Sequence, residues 1–376
     1  MILGLNDEYN IQEGVIILKI NNIQHQLKTI SLVKVVCMFL VVFGHSCAIY
    51  SGNDWGGMKG IHESSFFSYF LLWLGSFHTQ AFTFSSGFLF AYNRYKKNKY
   101  HNIKEDIINR SFRLLIPFFF FCYLWGIPSA IFWENKSVIQ IIKQFVLISN
   151  PAQYWFLWML FWIYIIFYFY SDCIIKKDFR VVFCILGFIY YFTSIIGHCI
   201  PIGYMGISNI MKYLIYYYLG VSLACEKINF NKLLTPVKIL FLLLIDIIIF
   251  FISQSVTIEF ESNVTCEMIF YPILGVLGII VVYGLCWECA KLLDFSSKIY
   301  SSLAECAMGV YLVHQQILYL IIRITNIERF IPVITIILNY IICITISMLM
   351  VGCMRKFKLG RLVLGEEKYE KKSNCL

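Results

Sequence analysis

The chain has 376 residues, of which 59% are hydrophobic and 14% charged, with a formal net charge of +9 and a mean hydropathy of +0.72. Soluble domains carry about a quarter charged residues, so this composition excludes a soluble globular protein and places most of the chain in lipid. No nucleic-acid partner is expected.

Residues 1–30 read as a cytoplasmic tail. The apolar run from Val15 to Leu18 is too short for the core of a secretory signal, and no small-residue cleavage site follows it. A spanning helix needs about 20 mostly apolar residues. Ten segments qualify, at roughly 31–50, 66–91, 112–132, 153–171, 180–197, 208–225, 235–254, 268–288, 304–323 and 331–353. The expected fold is therefore all-α: a polytopic membrane helix bundle of about ten transmembrane helices over 31–353, followed by a basic cytoplasmic tail, 354–376.

Ionisable groups inside such spans are costly, so each is a functional candidate. In the first span Lys34 and His45 are eleven residues apart. At 100° per residue that is three turns plus about 20°, so both share one face, about 16 Å apart along the axis. The structural alternatives are a snorkelling lysine and a hydrogen-bonded core histidine. The second span carries His78 and is long enough to be tilted or broken near Ser85, Ser86 and Gly87.

The loop 93–113 holds seven Lys and Arg residues. Arg110 and Arg113, spaced i, i+3, fall on one face at the start of the third span, ahead of Pro117. They read either as positive-inside anchors or as a paired phosphate-binding site. Asp246 interrupts the apolar run of the seventh span and must face protein or water. Asn263-Val264-Thr265 is a glycosylation sequon with meaning only in a eukaryotic secretory pathway. Cys286 and Cys289 form one CxxC without a second ligand pair, so no metal is expected. The other cysteines of the total of 14 are scattered through apolar stretches and read as small hydrophobes. His314 lies mid-span in the ninth segment.

Of the 31 Lys and Arg residues, 24 fall on the side of the loop 93–113 and the two tails. By the positive-inside rule both termini are cytoplasmic. Richness in Ile, Lys and Asn matches an AT-rich bacterial genome, hence an integral multi-pass protein of a bacterial inner or plasma membrane.

Six segments resemble, in order, those of the acyltransferase 3 family. KVVCMFLVVFGHS carries a basic residue, Lys34 here and Arg in many members, ten intervening residues, and His45. FHTQAFTFSSGFLFAY is similar to the family segment FHMPLFFFISGFL and keeps Phe77, His78, Phe82, Phe84, Ser86, Gly87 and Phe88, departing at Thr79-Gln80-Ala81. NRSFRLLIPFFFF carries Arg110, Arg113 and Pro117. QYWFLWML contains Trp155, Phe156 and Leu157; YYYLGVSLA contains Tyr218, Gly220 and Leu223; AMGVYLVHQQIL contains Tyr311, Leu312 and His314.

The resemblance implies transfer of an acyl group, commonly acetyl, from cytoplasmic acyl-coenzyme A to a hydroxyl of a surface polysaccharide or its lipid-linked precursor. It makes His45 the candidate base, since a histidine near its working pH can take the proton of a hydroxyl nucleophile, or alternatively a covalent acyl carrier. Arg110 and Arg113 would hold the phosphates of the donor, with Lys34 one step deeper. His78, Tyr311 and His314 would position substrate, or pack. Expected partners are thus membrane lipid, acyl-CoA and a glycan acceptor. Two other classes stay open: an exporter of polysaccharide or lipid-linked glycan with the same helix count, and a scaffold or sensor without chemistry. Inverted repeats would favour a carrier, and none is visible.

Overall fold

The architecture comes from a computed structural model, which describes residues 3–52, 63–100, 102–149, 151–199, 204–230, 234–260, 266–325 and 331–366. The sequon at 263–265 lies outside the described residues. Among the described residues there is no strand, and eight helices are long and apolar enough to cross a membrane. The chain is an all-α polytopic membrane protein.

The first helix, α1 (Leu3–Cys47), runs without interruption from the N-terminal segment through the first span. Its main packing partners are four later helices: α3 (His78–Ala91), α11 (Tyr271–Cys289), α12 (Lys298–Thr325) and α13 (Pro332–Arg355). This makes it the central post of the bundle. Between α1 and α3 lies the short α2 (Ser65–Gly75).

The second predicted span is therefore broken, but not at Ser85-Ser86-Gly87. The break falls at Ser76 and Phe77, where Phe77 leaves helical geometry at φ −138°, ψ −25°. Ser85 and Ser86 sit in the middle of α3 and turn their hydroxyls back onto Ala81 O and Phe82 O, at 2.8 and 3.0 Å. Such back-bonding satisfies a serine inside a helix without breaking it.

Gly87 serves a close approach instead. A Cβ there would lie 2.1 Å from the carbonyl oxygen of Tyr217, and one on Gly220 would lie 1.9 Å from that of Phe84. These two glycines let α3 and α9 (Ile207–Ala224) cross backbone to backbone, as small residues do in membrane interfaces. α9 carries four tyrosines and a lysine, Lys212, and is not among the eight helices long and apolar enough to cross a membrane.

The third span begins as α4 (Ile103–Phe121), is capped by the Asn102 side chain, and carries Pro117 internally. A wide turn at Cys122–Gly126 leads into α5 (Ile127–Phe132). After the short α6 (Val138–Ile141), the chain continues through α7 (Trp155–Lys176), α8 (Phe179–Cys199), α9 and α10 (Pro236–Phe260). The last span, α13 (Pro332–Arg355), packs against α12.

Beyond it the chain turns back under the bundle. The short α14 (Lys358–Val363) docks on α4, and Gly365, at φ +72°, has room for no side chain: a Cβ would lie 2.4 Å from Arg113 O. Arg355 fixes this return by pairing with Glu305 at 3.0 Å and Glu366 at 2.8 Å.

Candidate functional site

Two clusters sit at opposite ends of the α1 face that carries Lys34 and His45. At one end are three cations on two helices. Lys34 lies within electrostatic reach of Arg113 and Arg110. The guanidinium of Arg110 stacks over Tyr164 of α7, 4.0 Å from the ring centroid, and Tyr164 in turn contacts Phe90 and Tyr100. An aromatic face holds a guanidinium in place without neutralising it. Arg113 is exposed and shares its field with Glu366 of the returning tail. Three like charges this close repel one another, and an anion arriving among them relieves that repulsion.

At the other end three histidines converge from three helices. His45 of α1 lies within electrostatic reach of both His314 of α12 and His78 of α3. The His45 and His314 rings are 5.1 Å apart, centroid to centroid.

His314 is fully buried. Its Nδ1 donates to Tyr311 O at 2.9 Å and also approaches Val310 O at 3.2 Å. A carbonyl can only accept, so the ring proton is on Nδ1 and Nε2 keeps a lone pair. That Nε2 has no hydrogen-bond partner among the described residues. An unmet buried acceptor costs about 1–3 kcal/mol, a cost removed when a hydroxyl or an N–H is presented to it.

His78 obeys the same logic. Its Nδ1 donates to Leu74 O at 2.5 Å, across the break between α2 and α3, which leaves Nε2 as the acceptor. His45 and His78 are half-buried.

The surroundings of this cluster are aromatic and amide-rich. Tyr311 contacts Phe82 and Phe156 with its ring, and its hydroxyl donates to Gln153 O. Gln153 bonds Gln316 at 2.7 Å, and Cys343 donates its thiol to His314 O at 3.3 Å. On the α9 side Thr79 meets the Tyr213 hydroxyl at 2.9 Å.

The geometry thus brings together His45, His78 and His314 in one cluster and Lys34, Arg110 and Arg113 in another. The hydroxyl of Tyr311 is committed to the Gln153 backbone, so Tyr311 braces α12 against the start of α7. Gln153, Gln316 and Thr79 were not singled out in the sequence. The signal for the first two was an amide at the end of, or inside, an apolar run. For Thr79 it was the departure from the family segment at that position.

An acyltransferase domain family matches residues 27–352 of the chain. No curated protein matches the chain, and no solved structure matches it.

Proposed function

The chain belongs to the acyltransferase 3 family of membrane acyltransferases, and from that premise we propose that it moves an acyl group, acetyl in the simplest case, from cytoplasmic acyl-CoA to a hydroxyl of a cell-surface or lipid-linked glycan. The observation that carries this reading is the pairing of a cationic cluster with a histidine cluster on one face of α1, about 16 Å apart.

The donor is a polyanion with a long neutral arm ending in a thioester. Lys34, Arg110 and Arg113 suit its phosphates, because guanidinium groups bind phosphate oxygens through two parallel bonds. The arm then follows the α1 face toward His45. At that end the acceptor hydroxyl is a poor nucleophile until its proton is taken.

His45 takes that proton as the hydroxyl oxygen attacks the thioester carbon. The tetrahedral intermediate collapses with cleavage of the carbon–sulfur bond, and the leaving thiolate receives the proton from His45. His78 and His314, whose Nδ1 hydrogens are committed to backbone carbonyls, keep Nε2 as an acceptor beside this centre, and that of His314 receives a hydrogen bond from His45 once His45 holds the proton. Because the basic loops and both tails fall on one side, that side is assigned to the cytoplasm, where acyl-CoA is made.

The test is turnover by the purified protein. Acetyl-CoA with a glycan acceptor is expected to yield free thiol and an acceptor heavier by one acetyl group. Glycans from cells with and without the protein are expected to differ by the same mass. Unmodified glycan that nevertheless reaches the cell surface only when the protein is present would replace this reading by export.

A further inference from the structure

We propose that Asp246 is a positioning residue for His78, acting through the Trp73 indole and the helix break at Ser76 and Phe77. Asp246 lies on α10, well away from either cluster in sequence, and is 1% exposed. A carboxyl group inside a span persists only where it is engaged. Its Oδ2 accepts the indole N–H of Trp73 at 2.8 Å. Its Oδ1 has no partner among the described residues, so the Trp73 bond is the hydrogen bond by which they hold the group.

Trp73 is on the last turn of α2, and that turn sets the break. Trp73 O accepts from Ser76 Oγ at 2.7 Å and from Ser76 N at 3.1 Å. The Trp73 ring meets Phe77 edge to face, with centroids 5.1 Å apart. Phe77 is the one non-helical residue of the break, and its Cβ is seated against Gly278 of α11, where a Cβ would lie only 2.2 Å away.

One residue further, His78 ties its Nδ1 back to Leu74 O, the neighbour of Trp73. The chain of contacts from Asp246 to His78 is therefore continuous: carboxylate to indole, indole to the α2 end, α2 end to the imidazole. Asp246 fixes where α2 stops, and the stop fixes both the tautomer and the direction of His78.

The experiment compares Asp246→Leu, Asp246→Asn and Trp73→Phe in the full-length protein. Asn keeps an oxygen for the indole, and Phe keeps the ring packing while removing the N–H. Magnetic resonance of isotope-labelled histidine reads the His78 tautomer directly, with His45 and His314 signals identified by their Gln variants.

The expected result is loss of the protonated-Nδ1 signature of His78 in Asp246→Leu and in Trp73→Phe, and its retention in Asp246→Asn. The kcat falls about tenfold in the first two with KM for acyl-CoA unchanged, and Asp246→Asn restores it. In a His78→Gln background, Asp246→Leu adds no further loss, since residues acting through one another are not additive.

An unchanged His78 signal in Trp73→Phe overturns the proposal, as does full additivity with His78→Gln. Should Asp246→Leu not fold, Trp73→Phe decides. The activity readout rests on the acyl-transfer reading, but the resonance readout does not. A protein without turnover whose His78 signal still follows Trp73 would sink that reading and leave this one standing.

Discussion

The imidazoles of His45 and His314, from helices at opposite ends of the chain, face each other with centroids 5.1 Å apart and planes tilted by 36°. The pair contains one ring whose tautomer is fixed, His314, and one that is half-buried, His45. A base needs both: access to the substrate proton, and a neighbour that can accept a hydrogen bond once the proton has been taken.

His45→Gln is accordingly expected to insert and fold normally, because an amide keeps a hydrogen-bonding group, while an amide cannot take up a proton at neutral pH. General-base catalysis contributes about 10²- to 10⁴-fold, so transfer should fall by more than about tenfold with acyl-CoA binding intact. Parallel assays of turnover and binding on purified protein check this. Retained turnover would remove His45 from the chemistry.

Arg113→Ala is expected to raise the KM for acyl-CoA without unfolding the protein. Arg113 is exposed within the cationic cluster and donates to no carboxylate at hydrogen-bonding distance among the described contacts. Losing one charge-assisted phosphate bond costs about 1.5–3 kcal/mol, or between about tenfold and a hundredfold in affinity. Steady-state kinetics at varied acyl-CoA measures it, and an unchanged KM would reassign the residue to topology.

Gly220→Ala is expected to destabilise the bundle, whereas Gly75→Ala is expected to be silent. At Gly220 the new methyl would meet the backbone of α3, at 1.9 Å from Phe84 O, and neither partner is a side chain that can swing away; at Gly75 nothing lies within 4 Å. Overpacking costs about 1–3 kcal/mol or more. Thermal unfolding of the two variants in detergent separates them, and equal melting points would refute the backbone contact.

The orientation proposed from the basic loops is checked at Asn98, in the turn after α3. In a cysteine-depleted background, a cysteine at this position is expected to resist a membrane-impermeant thiol reagent in intact cells and to react after permeabilisation. Labelling from outside would invert the topology, and with it the side from which the donor arrives.

The spans were legible in the sequence because a bilayer sets their length, and the shared face of Lys34 and His45 was legible because helical geometry is periodic. Both are local rules. The break in the second span was not legible, since it is decided by Gly278, which makes room for Phe77, and by Asp246, which holds Trp73; each lies about 200 residues or a little less downstream. The Ser85-Ser86-Gly87 run looked like a breaker, yet its serines bond within the helix and its glycine answers to Tyr217. The meeting of His45 with His314 was invisible for the same reason: it depends on which helices become neighbours, a fact that no single segment carries.

The return of the chain after α13 bears on biogenesis. Gly365 is seated on the backbone of Arg113, and Arg355 clamps the return through Glu305 and Glu366. The spans before α13 are synthesised first, and the floor beneath Arg113 is laid by residues that follow α13 in the chain. The three histidines are therefore synthesised before the segment that completes the cationic end. A premature stop between Arg355 and Gly365 would yield a chain that keeps every span yet lacks that floor.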